Sequence, residues 1–251
     1  MYGWTKTLWA WALLAALLAA PAAGQFLALD PRLEWRVLET EHFRIIYPAG
    51  LEAVAQETAD YSEAAYVYWV DELGYVPTFK TNEVVADLGD LSAGAANPLW
   101  HVTIQATSDA RAFNEWLNAR ARSGLEQVVF HELGHIIDLA QVAGVPGALR
   151  QAFGTISIPQ LARPGSIIEG IPIYHEFARS GASRASDPRE AMYLRAMLER
   201  DTFVSFDALF HTGHTRRAFP SPYMLSHNYG PWFVRFLAER HGHHVTRRLD
   251  E

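Results

Sequence analysis

His131 and His135 stand four residues apart with Glu132 directly after the first, in the stretch Glu126-Gln-Val-Val-Phe-His-Glu-Leu-Gly-His-Ile-Ile-Asp138. On a helix, residues at i and i+4 share one face, so the two imidazoles can converge on one ion while Glu132 projects beside it. Imidazole nitrogen suits Zn²⁺, and a hydrolytic zinc site takes three protein ligands and keeps a position for water, whose pKa falls toward ~7. Glu132 is then placed to take that water's proton. The plainer alternative is a solvated helix face that carries these residues by chance. The flanks oppose it, because Val128, Val129, Phe130, Leu133, Ile136, Ile137 and Leu139 make the helix apolar nearly all round. Such a helix is expected to be buried, where uncompensated imidazoles are costly and metal-bound ones are not.

A third ligand has to come from elsewhere in the chain. The strongest candidate is Glu169, in Ser166-Ile-Ile-Glu-Gly-Ile-Pro-Ile-Tyr-His-Glu176, a second apolar segment able to pack against the first helix. The pattern Glu-Gly-x-x-x-Tyr-x-Glu, as Glu169, Gly170, Tyr174 and Glu176, resembles the second zinc helix of gluzincin metallopeptidases, including the aminopeptidases of that group. The resemblance implies that Glu169 is the third zinc ligand and that Glu176 orients a ligand histidine. The likeness extends to a bacterial peptidase domain that usually precedes a Tol-type β-propeller. It is carried in order by Glu41-His-Phe-Arg-Ile-Ile-Tyr-Pro48, Gly94-Ala-Ala-Asn-Pro98, Trp116-Leu117, Gly147-Ala-Leu-Arg-Gln-Ala-Phe-Gly154 and Ile168-Glu169-Gly170.

Two departures from the gluzincin aminopeptidases bear on function. Their Gly-x-Met-Glu-Asn segment uses a glutamate to hold a substrate's free amine, whereas Gly94-Ala95-Ala96-Asn97 has none. An endopeptidase is therefore expected rather than an aminopeptidase. They also place a tyrosine three residues before a glycine that opens a late helix, and counting back from Gly230 reaches His227. Imidazole can still donate to a tetrahedral intermediate's oxyanion, with a charge that depends on pH near ~6.5. His227 is assigned that role, with Tyr229 and Tyr223 as neighbouring alternatives. Packing against the last helix is the plainer role for each. Of the other histidines, His175 is expected on an exposed helix position, and His211, His214, His241, His243 and His244 in solvated, Arg-rich surroundings.

Composition bounds what these residues can belong to. The chain has 251 residues, 49% of them hydrophobic, enough to bury a substantial core. It has no cysteine, which excludes disulfides, thiolate zinc ligation and lipid attachment through cysteine. The formal charge is −7 and lysine occurs only at 6 and 80, so no basic stripe for nucleic acid exists. Lys6 precedes an almost pure Leu/Ala/Trp run, and Ala20-Pro21-Ala22 offers small residues for cleavage, the pattern of a secretory signal peptide over 1–22. The run from Leu8 to Ala20 is shorter than the ~20 residues that span a bilayer, so no membrane insertion is expected after cleavage.

The elements that must position the site can be read coarsely. Strands are expected over His42–Tyr47 and Glu83–Leu88, and helical spacing marks Leu51–Leu73. The Gly94–Pro98 stretch leads into a strand at His101–Gln105, which by the resemblance is the sheet edge where an extended peptide can add. Helices follow over Arg111–Ala121, Leu125–Ala140, Ser166–Arg179, Arg189–Arg200 and Pro231–His241, with Pro172 obscuring the start of the third. Residues 141–165 read as a Pro/Gly-interrupted excursion that either lines the cleft or crosses the surface. The expected architecture is α+β and zincin-like: a small mixed sheet with an edge strand at the cleft, a zinc helix, and a mainly helical C-terminal lobe. The lobes are expected at 25–140 and 141–251.

The expected function is a secreted or periplasmic zinc metallopeptidase acting on a peptide or protein substrate. A β-propeller partner, or a further C-terminal domain, is implied by the resemblance. The alternative is a peptidase-derived binding or assembly module that retains zinc with little turnover.

Overall fold

The computed structural model describes residues 29–87, 93–107, 124–142, 144–154, 163–203 and 225–248. The signal-like run, the helix expected at 111–121, Tyr223, His211 and His214 lie outside the described residues. The chain divides into Met1–Leu33 and Glu34–Glu251. In the first unit, Asp30 and Arg32 close a turn through an ion pair of 2.8 Å.

In the second unit a five-stranded mixed sheet runs in the order β1 (Trp35–Glu39), β2 (Phe43–Pro48), β3 (Thr81–Asp87), β5 (Val102–Thr107), β4 (Ala93–Asn97). The outer pairs are antiparallel and β2, β3 and β5 are mutually parallel. β3 has a parallel neighbour on each side and reads as a continuous buried run, Val84-Val85-Ala86, as strands covered on both faces do. The sequence leads one to place the edge at His101–Gln105. That expectation is corrected: β5 is interior, and the edge is β4. A hairpin register that pairs Ala93 with Ala106 and Asn97 with Val102 folds the Gly94–Asn97 stretch outward beyond β5.

Helix α1 (Glu52–Leu73) joins β2 to β3. Its buried residues Ala55, Thr58, Ala59, Ser62, Ala65, Tyr66, Trp69 and Leu73 recur every three or four positions and form one stripe. Gly74, at φ +67°, ends it in the left-handed conformation. Along this stripe lies helix α2 (Gly124–Ala140), buried at every position from Val129 to Ala140. Trp69 donates its indole N–H to the Phe130 carbonyl at 2.9 Å. Its ring fills the space beside Gly134, where a Cβ would sit 2.5 Å from Trp69 Cζ2. The core therefore joins β2 and β3 through Phe43, Ile45 and Val85 to α1 and α2 through Trp69, Phe130, Leu133 and Ile137.

The remaining described elements are helical. α3 (Gly144–Phe153) occupies part of the expected excursion, and its Arg150 donates to the Ala140 carbonyl at the end of α2. Proline and glycine suggested a break there, but Pro146 sits in a first turn, where a missing N–H costs nothing. The short α4 (Gly165–Ile168) is followed by α5 (Gly170–Ser180), α6 (Pro188–Glu199), α7 (Gly230–His241) and α8 (Val245–Arg248). A single π-helical turn, Leu225–Tyr229, leads into α7. Among the described residues, no single helix is long and apolar enough to cross a membrane.

Candidate metal centre

The expected histidine face forms in the middle of α2. His131 and His135 are both buried, and their Nε2 atoms lie 3.1 Å apart. Glu169 brings Oε2 to 3.2 Å from His131 Nε2 and 3.3 Å from His135 Nε2. Two imidazole nitrogens from α2 and a carboxylate oxygen from a separate part of the chain thus converge on one point. Atoms bonded to a tetrahedral ion at ~2.0–2.1 Å stand about 3.3–3.4 Å from one another, so the spacing suits an ion of that size. These buried histidine and glutamate groups can hold a metal.

Glu169 stands where the helical ladder is interrupted, its own backbone still helical. Pro172 has no N–H for the Ile168 carbonyl, and its ring crowds that carbonyl, so α4 stops at Ile168 and α5 restarts at Gly170. The helix expected over Ser166–Arg179 is two helices, with Glu169 at the joint between them. Pro172 itself is harmless in the first turn of α5.

Glu176 lies nearly two turns further along α5. Its Oε1 accepts from His131 Nδ1 at 2.8 Å, and its Oε2 accepts from Gln127 Nε2 at 2.8 Å. The contact on Nδ1 turns His131 Nε2 toward Glu169 and His135, and it selects the tautomer a metal needs. Gln127 was not singled out from sequence. It stands one helical turn before His131, and that spacing alone would have marked it as a neighbour on the same face. His135 Nδ1 is buried with no partner among the described residues.

Glu132 is buried beside the pair, and burial pushes its carboxyl above the ordinary range against the pull of His131 and His135. Its neighbour across the gap is the edge strand. A Cβ on Gly94 would meet Glu132 Oε1 and Val128 Cγ1 at 2.6 Å, so only glycine allows β4 to lie this close to α2. With no metal, burial works against protonation of His131, but hydrogen bonds to Glu169 and Glu176 outweigh it and hold the ring up at about 10. Glu169 is held well below the usual carboxylate range, since His135, His131 and His227 together overcome the effect of burial.

His227, in the π turn, brings Nε2 to 3.3 Å from Glu169 Oε2 while Nδ1 lies 2.7 Å from Ser226 Oγ. The late segment therefore does deliver this histidine to the centre. Tyr229 is not delivered: it is buried, and its hydroxyl is directed at the Met197 sulfur. The close approach rests on two glycines. A Cβ on Gly230 would lie 2.2 Å from the Ser166 carbonyl oxygen, and one on Gly170 would lie 2.7 Å from Val234 Cγ2.

Two other histidines depart from expectation. His175 is fully buried rather than exposed, because it points from α5 into the core against Trp69 and Tyr68. Burial, with His243 nearby, pushes it down to about 3. His243 is only part-exposed, engaged by Tyr174 and Glu72, whereas His241 and His244 are exposed as expected.

Asp138 was also not singled out as a functional residue. It is fully buried on α2 and pairs with Arg163, which stands just before α4. Comparison of the chain with protein-family models, with curated proteins and with solved structures finds no match.

Proposed function

We propose that the protein is a zinc-dependent metallopeptidase of zincin-like fold and gluzincin type, secreted or periplasmic, that cleaves internal peptide bonds. The observation that carries this reading is the convergence of His131, His135 and Glu169 at 3.1–3.3 Å, with Glu132 buried beside them. A structural metal site needs ligands but has no use for a base.

When bound, zinc would supply Lewis acidity, polarising a scissile carbonyl and acidifying a water. Glu132, with its raised proton affinity, accepts the proton of the attacking water and passes it to the leaving amine. Glu176 keeps His131 turned to the centre through Nδ1. His227, with its Nε2 3.3 Å from Glu169 Oε2, donates to the oxygen on which negative charge develops. The edge strand β4 offers main-chain groups to an extended substrate, and with no carboxylate between Gly94 and Asn97 nothing there selects a free amino terminus. The likeness to a domain that precedes β-propellers makes such a partner part of the proposal.

The test is cleavage of an unstructured protein by the purified chain and by Glu132→Gln. Equal zinc content, with turnover lost by at least about a thousandfold in the variant, is the expected outcome. Equal activity in the two proteins would reject Glu132 as the base. Zinc bound without cleavage by either would turn the reading to a binding or assembly module.

A further inference from the structure

A second group of potential metal donors lies away from the first. Glu72 lies in the last turn of α1, His175 stands in the middle of α5, and His243 follows α7. One ligand atom from each falls within 4.8 Å of the other two. These residues are far apart in sequence, so no single helix's periodicity brings them together.

The hydrogen bonds around them select one nitrogen on each ring. His175 Nδ1 lies 3.0 Å from the Tyr68 hydroxyl, and His243 Nδ1 lies 2.8 Å from the Tyr174 hydroxyl. Each tyrosine oxygen can accept an Nδ1–H, which leaves the lone pair on Nε2. His243 Nε2 then faces Glu72 Oε2 at 2.8 Å, and His175 Nε2 faces Thr246 Oγ1 at 3.1 Å in the same segment as His243. This is the outer support a metal-binding imidazole requires, present on both rings. Arg247, on α8, is directed at the main-chain carbonyls of Asp71 and Glu72, while the Glu72 carboxylate faces His243.

We infer that Glu72, His175 and His243 form a second metal site, for a transition ion of the Zn²⁺ class, which ties the end of α1, the middle of α5 and the chain after α7 together. Two imidazoles with one carboxylate favour such an ion over Ca²⁺ or Mg²⁺, which take oxygen ligands. Because the His243 side chain is 41% exposed, the site opens to solvent on that side, where water completes the coordination. It is therefore the weaker of the two sites and the first emptied by a chelator. The residue after His175 is Glu176, so an ion here braces the part of α5 that holds His131. The inference does not depend on the peptidase reading.

The experiment is zinc stoichiometry by equilibrium dialysis of the metal-stripped full chain against ZnCl₂, with Co²⁺ absorption as a second readout. Two ions per chain are expected in the wild type. One is expected in His243→Ala and in Glu72→Gln, whose side chains are part-exposed and whose loss leaves the core intact, and one in Glu169→Ala. A wild type that binds a single ion, lost in Glu169→Ala and kept in His243→Ala, would overturn the second site. So would an undiminished count of two in both His243→Ala and Glu72→Gln. A single ion kept in Glu169→Ala and lost in His243→Ala would uphold the second site and reject the first.

Discussion

Among individual residues, Glu176 shows how a side chain that touches no ion can govern the centre. It holds His131 Nδ1 and is itself held by Gln127, so both of its oxygens are committed. Glu176→Gln keeps the shape but weakens acceptance, and zinc affinity should fall about 10–100-fold, read by competition with a chromophoric chelator. The same carboxylates set a pH dependence. In the metal-free fold His131 is raised to about 10 from an unfolded value near ~6.5. A raised imidazole contributes stability that is fully present below ~6.5 and is lost as pH rises through about 10. The metal-free protein should therefore lose stability across that window, followed by denaturant midpoint at successive pH values. Zinc must displace the His131 proton, so calorimetry in buffers of different ionisation enthalpy should show proton release on zinc binding near neutral pH.

Among elements, the site depends on how closely four helices and one strand can approach. α7 lies against α4 and α5 only because Gly230 and Gly170 lack side chains, and this contact is what places the π turn and His227 at Glu169. Gly230→Ala puts a methyl group into the Ser166 carbonyl, a main-chain atom that cannot rotate away. We expect a loss of about 1–3 kcal/mol in chemical denaturation and a fall in turnover larger than the fall in zinc content. Gly94 plays the same part between β4 and α2, where its bare Cα leaves room for the Glu132 carboxylate.

For the whole molecule, the ligands are spread across α2 and the α4–α5 joint, and each of these packs on a different part of the core. A metal that binds only the folded arrangement stabilises it by mass action, about 4 kcal/mol when free zinc exceeds its dissociation constant a thousandfold. Removal of metal by a chelator should lower the thermal midpoint, and added zinc should restore it. A midpoint indifferent to metal would mean the ligands do not share an ion. Asp138 and Arg163 brace the same arrangement from the far end, joining α2 to the approach to α4 through a buried ion pair.

Much of this was legible in the residues themselves. The positions of α1, α2, α6 and α7, the shared face of His131 and His135, and the candidacy of Glu169 follow from helical spacing and residue chemistry within short stretches, while the part expected of Glu176 came from the resemblance of its motif. Local patterns carry such features because a helix satisfies its hydrogen bonds within itself. Tertiary structure decided the rest. β1 has little alternation and exists by pairing with β2, the edge passed from 101–105 to Ala93–Asn97 through hairpin register, and His175 is buried because Trp69 and Tyr68 of α1 pack against it. Proximity of His227 to Glu169 depends on a helix crossing between residues far apart in the chain. Strand order, burial of a lone polar residue and close helix approach are properties of contacts between distant segments, which no local spacing encodes.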